Sequence, residues 1–249
     1  MNPPIVIQEV DCASAWARAI LFLKDHSWDA WNMVVNISQP CLENPDAFCR
    51  LTSFAENHGL ITPKHVLHTI FPQQFYKTPN TKERLYKVYN RYYRMTRKMP
   101  HSGWGTYFKR MISYKTKDGS EYDQLDSIIS HINNRQKNYK AAHFMIIPQV
   151  GSDSNRQMGA PCLNYVAVQV EQSRNNKTIS LLAVYRNHDF RERTYGNYLG
   201  LCALLNYICQ ETGSAVGQVT CVSSHAYVGN NKGELYSIAK EFLGEPINE

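Results

Sequence analysis

Residues 195–211 constrain the fold more than any other stretch. Leu199, Leu201, Leu204, Leu205 and Ile208 leave this helix-length segment apolar around most of its circumference. A helix of that kind has to be buried on most sides. Its neighbours read as strands: 142–148 before it, 163–170 and 179–185 paired through the turn Ser173-Arg174-Asn175-Asn176, and 218–228 after it. A last helix is expected over 232–243. The expectation is therefore a mixed α+β domain, with a mixed sheet packed around one long buried helix.

The first half reads less regularly. Helical spacing runs over 10–24, with Asp11 or Ser14 as the cap, and 31–37 reads as a strand closed by Pro40. Asn44 and Pro45 open a helix to about Asn57, ended by His58-Gly59. A basic helix is expected from about Thr81 to Lys98, and 123–134 is amphipathic through Leu125, Ile128, Ile129 and Ile132. Gly103-Trp104-Gly105 and 151–159 read as loops. No repeat or low-complexity linker interrupts the 249 residues, so a single domain over 1–249 is expected.

Charge is unevenly placed. Between Lys77 and Lys117 there are twelve Lys/Arg and one acid, Glu83, in a chain whose net charge is +6. Six tyrosines (Tyr86, Tyr89, Tyr92, Tyr93, Tyr107, Tyr114) interleave with these cations. The pattern fits a nucleic-acid surface, with cations on phosphates and rings on bases. It equally fits a solvated helix whose Tyr86, Tyr89 and Tyr93 point inward. No run of about 18 apolar residues suggests a membrane span, and Met1-Asn2-Pro3-Pro4 has no basic leader pattern. Seven cysteines without a CxxC pair or zinc-type spacing suit reduced thiols in a cytoplasmic protein.

Chemistry-bearing residues recur at intervals in the second half. Cys162 follows Pro161, and is either a nucleophile or a small buried apolar residue. Arg186 ends the apolar run Leu181-Leu182-Ala183-Val184-Tyr185, where it either turns to solvent or lowers a thiol pKa and grips a phosphate. Asp189 suits a helix cap or a contact to a bound ring. Asn197 suits an N-cap, or it donates to one base atom and accepts from the next, matching the O4/N3–H edge of uracil. His225 and Tyr227 alternate on one strand and so point the same way, toward a sugar hydroxyl or toward water.

Taken in order, Pro161-Cys162, Arg186-Asn187-His188-Asp189, Asn197 and His225-Ala226-Tyr227 resemble the motifs of the thymidylate synthase and pyrimidine hydroxymethylase superfamily. Asp123-Gln124-Leu125 is similar to a further segment of that family. The resemblance covers roughly 103–243, and residues 1–100 form a divergent N-terminal part. It implies a thymidylate synthase-like fold whose sheets stack back to back in a homodimer. It also implies addition of Cys162 to C6 of a uracil-type pyrimidine nucleotide, and transfer of a one-carbon unit from 5,10-methylenetetrahydrofolate to C5. By the same resemblance Arg186 binds the 5′-phosphate and Asp189 orients the ring or the folate. Asn187 and Asn197 contact the substrate, Asn197 reading the base, and His225 with Tyr227 hold the 3′-hydroxyl.

The departures fall on the anion and folate sides. Tyr139-Lys140 stands where the family carries an arginine pair, so Lys140 is the one cation retained there for substrate. Leu163 replaces a histidine, Tyr185 a glutamine and Arg193 a glycine. Glu56 is the only candidate for the family's catalytic glutamate, and the apolar C-terminal tail is replaced by Gly-Glu-Pro-Ile-Asn-Glu. Two other readings compete. One is an altered protein of this fold that binds nucleotides or nucleic acid through the basic 77–117 surface. The other is a hydrolase built from Cys162, Asp189 and His225.

Overall fold

A computed structural model describes residues 5–76, 81–96, 105–134, 141–149, 151–153, 160–173 and 176–246. The chain opens with β1 (Ile5–Glu9), α1 (Cys12–Asp25) and β2 (Asp29–Ile37). Asp11 and Ser14 both serve at the start of α1. Asp11 Oδ1 accepts the amides of Ala13 and Ser14, while Ser14 Oγ receives the Asp11 amide. There follow α2 (Pro45–Asn57), capped by Asn44, α3 (Pro63–Ile70), α4 (Lys82–Thr96) and α5 (Tyr107–Ile112). A small ribbon of β3 (Tyr114–Lys115) and β4 (Glu121–Tyr122) leads into α6 (Gln124–Asn134). The remainder is β5 (His143–Ile146), β6 (Leu163–Gln172), β7 (Lys177–Tyr185), β8 (His188–Asp189), α7 (Thr194–Thr212), β9 (Ala215–Tyr227) and α8 (Lys232–Leu243).

The main sheet runs β1-β2-β9-β7-β6-β5, with β8 alongside β9. It is mixed: β1 with β2 and β7 with β9 are parallel, the other pairs on that path antiparallel. Side chains alternate across a strand, so each row of register partners belongs to one face. Val35, Cys221, Ala183, Val166 and Met145 form one row, each fully buried beneath the helices. The next row is Val6, Val34, Val222, Val184, Tyr165 and Ile146, all partly or fully exposed. One face is thus a core, and the other is an apolar surface that no described helix covers.

The helix α7 lies against the buried face, with Leu201, Leu204, Leu205 and Ile208 inaccessible. Gly213 ends it in the left-handed region, at φ 61°. Close approach of α3 depends on two glycines. A Cβ at Gly196 would lie 2.6 Å from Val66 Cβ, and one at Gly200 2.9 Å from Ile70 Cβ. The elements β1, α3 and α5 had no counterpart in the sequence reading. Each is short and gains most of its stability from tertiary contact, which periodicity over a few residues does not register.

The described helix of the basic segment has the solvated-helix pattern. Tyr89 is buried with Leu85, Tyr86 and Tyr93 lean on the core, and Arg84, Lys87, Arg91 and Arg94 face outward. Tyr89 Oη also bonds Thr106 Oγ1 at 2.5 Å. These three rings are occupied by the protein's interior and are not a stacking platform for bases. No helix among the described residues is long and apolar enough to cross a membrane.

Candidate active site

The site is assembled where the C-terminal ends of β7 and β9 meet the start of β6. A backbone bond from Arg186 N to Cys162 O (2.9 Å) joins the two motif segments. The Arg186 guanidinium donates to the carbonyls of Pro161 (3.2 Å) and Ala160 (3.4 Å), holding the approach to the cysteine in place. Cys162 itself is half-buried. Burial pushes its thiol up, and the opposing pull of Arg186 and then Arg193 is smaller. A lowered thiol pKa was the expectation from Arg186 alone. Desolvation wins because the sulfur leans on the apolar core.

Tyr107, from α5, completes the surroundings of the thiol. Burial pushes its hydroxyl up to about 12, against a smaller opposing pull from the nearby backbone at Leu163 and Cys162. Asp189 is committed first to the turn entering α7. Its Oδ1 accepts Arg191 N at 2.9 Å, and its carbonyl accepts Arg193 N and Thr194 Oγ1. Burial raises its carboxyl, and the charge is felt at Cys162. Asp189 thus serves the turn before α7, whose N-cap is Arg193.

Asn197 sits in the first turn of α7 at 4% exposure. Its Nδ2 meets His188 Nε2 at 3.0 Å, and His188 Nδ1 meets Ser223 Oγ at 2.9 Å. Since an amide nitrogen only donates, Nε2 must accept, and the ring proton sits on Nδ1. Burial lowers the His188 pKa to about 3, so the ring is neutral. It stacks on Tyr185 at 4.1 Å between centroids. His188 thereby fixes which way the Asn197 amide points. The sequence contained His188 inside a motif but gave no sign of this function, because Ser223 is 35 residues away.

His225 and Tyr227 do point the same way, stacked at 5.4 Å and 11°. Asn187 stands between them: its Oδ1 lies 2.7 Å from His225 Nδ1, and its side chain is near enough to the Tyr227 hydroxyl to favour the charged form. The other ring nitrogen, Nε2, lies 2.7 Å from Asp29 Oδ2 on β2. Trp31, 65% exposed, covers the imidazole at 4.6 Å. Asp29 and Trp31 were invisible to motif reading, since only the β2–β9 register brings them here.

The other assignments separate. Lys140 lies outside the described residues. Glu56 is exposed on α2 with no contact to these groups, whereas Glu192 stands close enough to influence Asp189 and Tyr227. The Cys/His/Asp hydrolase is not assembled: both nitrogens of His225 and of His188 go to partners other than the thiol.

Comparison with known proteins bears on the family to which the chain belongs. The family profile described as thymidylate synthase matches residues 12–241. A protein of Methanothermobacter marburgensis named "Putative thymidylate synthase" is 29% identical over 112 residues, 44% of this chain and 47% of that protein. One of the same name from Methanosarcina barkeri is 25% identical over 152 residues, 53% of this chain and 67% of its own. A third, from Methanococcoides burtonii, is 24% identical over 123 residues, covering 49% and 52% respectively. The aligned stretch thus spans about half the length of the first of these relatives. A profile match from α1 to α8 takes in every described element that carries the site, and the chain belongs to the thymidylate synthase family.

Proposed function

We propose that the chain transfers a one-carbon unit, as methyl or hydroxymethyl, to C5 of a uracil-type pyrimidine nucleotide. Cys162 Sγ bonds to C6 of the ring, and the displaced π electrons make C5 nucleophilic. The observation that carries this reading is the pairing of a half-buried thiol, flanked by Arg186, Arg193, Asp189 and Tyr107, with an Asn197 amide oriented by neutral His188. Asn197 Oδ1 accepts N3–H while its Nδ2 donates to O4, an edge that uracil offers and cytosine does not. Arg186 takes the phosphate, and Tyr227 takes a sugar hydroxyl.

The cofactor implied by the family is 5,10-methylenetetrahydrofolate, which when bound supplies the one-carbon unit. One group fits it: Asp189, with its raised carboxyl beside the thiol, offers an acceptor to the amide-like edge of a reduced pterin. A homodimer, also part of the proposal, gives the uncovered row from Val6 to Ile146 a partner. Release of tritium from C5-labelled uridine or deoxyuridine monophosphate, lost in Cys162→Ser, tests the chemistry. No release from either nucleotide, with or without folate, removes it.

A further inference from the structure

We infer that Asp29 is a specificity-determining residue that selects a ribonucleotide, reading the 2′,3′-diol of the sugar. The inference rests on the uracil-nucleotide reading of the site. It starts from the fact that His225 has no ring nitrogen left over. Nδ1 faces Asn187 Oδ1 and Nε2 faces Asp29 Oδ2, each at 2.7 Å. A sugar hydroxyl arriving here meets a carboxylate, because the imidazole is already engaged on both sides.

Position supports this. The polar groups form a line: the Tyr227 hydroxyl, which feels the charges of Asp189 and Cys162, then Asn187, His225 and Asp29. Asp29 is the direct register partner of Tyr227, and Trp31 that of His225. Partners of this kind bring side chains on the same face within about 5 Å. In this proposal a base held over Cys162 has its sugar alongside this line, next to Tyr227 and Asp29. The charges agree with that orientation: Arg186 and Arg193 attract a phosphate, and Asp29 repels one.

Chemistry supports it too. An ionised carboxylate only accepts, and its two oxygens suit two donors side by side. Asp29 is 52% exposed on its side chain, and its Oδ1 makes no hydrogen bond among the described residues. A vicinal diol supplies two O–H donors, whereas a 2′-deoxyribose supplies one. Trp31 adds an exposed apolar wall beside His225, against which the C–H side of a sugar ring can be covered. An ordinary surface ion pair between Asp29 and His225 would account for the 2.7 Å contact but would not discriminate between sugars.

The test compares uridine and deoxyuridine monophosphate in the full chain, by equilibrium binding and by C5 tritium release. Wild type should favour the ribonucleotide by about 10- to 100-fold, the range expected for a charge-assisted hydrogen bond at a partly exposed site. In Asp29→Ala the ratio should fall toward one, and Asp29→Asn, which keeps one acceptor, should fall between. Equal or tighter binding of the deoxyribonucleotide by wild type, or a ratio that survives Asp29→Ala, overturns the inference. Absent tritium release with the binding ratio intact refutes the one-carbon reading and supports this one. Failure to bind either nucleotide overturns both.

Discussion

Replacing His188 with leucine separates the site's architecture from generic core packing. The two side chains have similar volumes, so the change removes hydrogen bonds more than bulk. It leaves Asn197 Nδ2 and Ser223 Oγ without their partner at 4% and 0% exposure. Each orphaned buried group costs about 1–3 kcal/mol, so His188→Leu should lose about 2–6 kcal/mol at pH 7.5. The stronger signature is in the pH dependence. The ring's folded pKa of about 3 lies below its ordinary 6.5. The unfolded chain therefore takes up a proton below pH 6.5 that the folded chain refuses. The stability tied to the neutral ring is complete above pH 6.5 and drains away as pH falls toward 3, at about 1.4 kcal/mol per pH unit. By pH 4.5 wild type should have lost about 3 kcal/mol through this residue, and His188→Leu none of it. Urea titrations of both proteins at pH 7.5, 6.5, 5.5 and 4.5 measure the gap directly, since every other titrating group is common to the two. A gap that does not narrow on acidification, or a variant as stable as wild type at pH 7.5, refutes the neutral, doubly bonded histidine.

Gly196→Ala should destabilise by about 1–3 kcal/mol, since its Cβ would meet Val66 Cβ at 2.6 Å and Pro63 O at 2.8 Å; thermal melting reads the loss, and an unchanged midpoint contradicts the close α3–α7 approach. Tyr185→Phe should leave stability unchanged or raise it by up to about 1 kcal/mol, because the phenol is buried with no hydrogen-bond partner; a clear loss in chemical denaturation would point to a bond at that hydroxyl. Alkylation of Cys162 by iodoacetamide should keep accelerating past pH 9, the thiol's ordinary pKa, because burial holds it higher. In a background lacking the exposed Cys41 and Cys49, Arg193→Gln should slow this reaction at pH 8, and a rate plateau below pH 9 contradicts the burial argument.

Much of the fold was legible because its signals are local. The caps at Asp11 and Asn44 are set by side chains within three residues of the amides they bind. The paired strands β6 and β7 carry their turn between them, and the apolar density of residues 195–211 corresponds to the inaccessible side of α7. What failed to show is what the register creates. Nothing near Asp29 in sequence marks it as a partner of His225, 196 residues away. Tyr107 reads as one more tyrosine in a basic stretch, yet its buried hydroxyl stands close enough to Cys162 to feel its charge. His188 looks like motif filling until Ser223 and Asn197 are seen on either side of it. The same alternation that identified His225 and Tyr227 as neighbours was blind to their partners on the adjacent strand.

The electrostatics of the thiol carry a consequence for how the site works. Burial raises Cys162, and among the described residues Arg186 and Arg193 oppose it. A phosphate bound at Arg186 cancels much of the charge that favours the thiolate, so substrate binding at that residue alone cannot switch the sulfur on. Arg193 is then the cation that remains, and it stands at the N-cap of α7, one turn before Asn197. On the proposed one-carbon reading, the residue replacing a family glycine is therefore tied to both halves of the reaction. Its backbone begins the helix that presents the base-reading amide, and its side chain supplies the charge that lowers the cost of ionising the nucleophile.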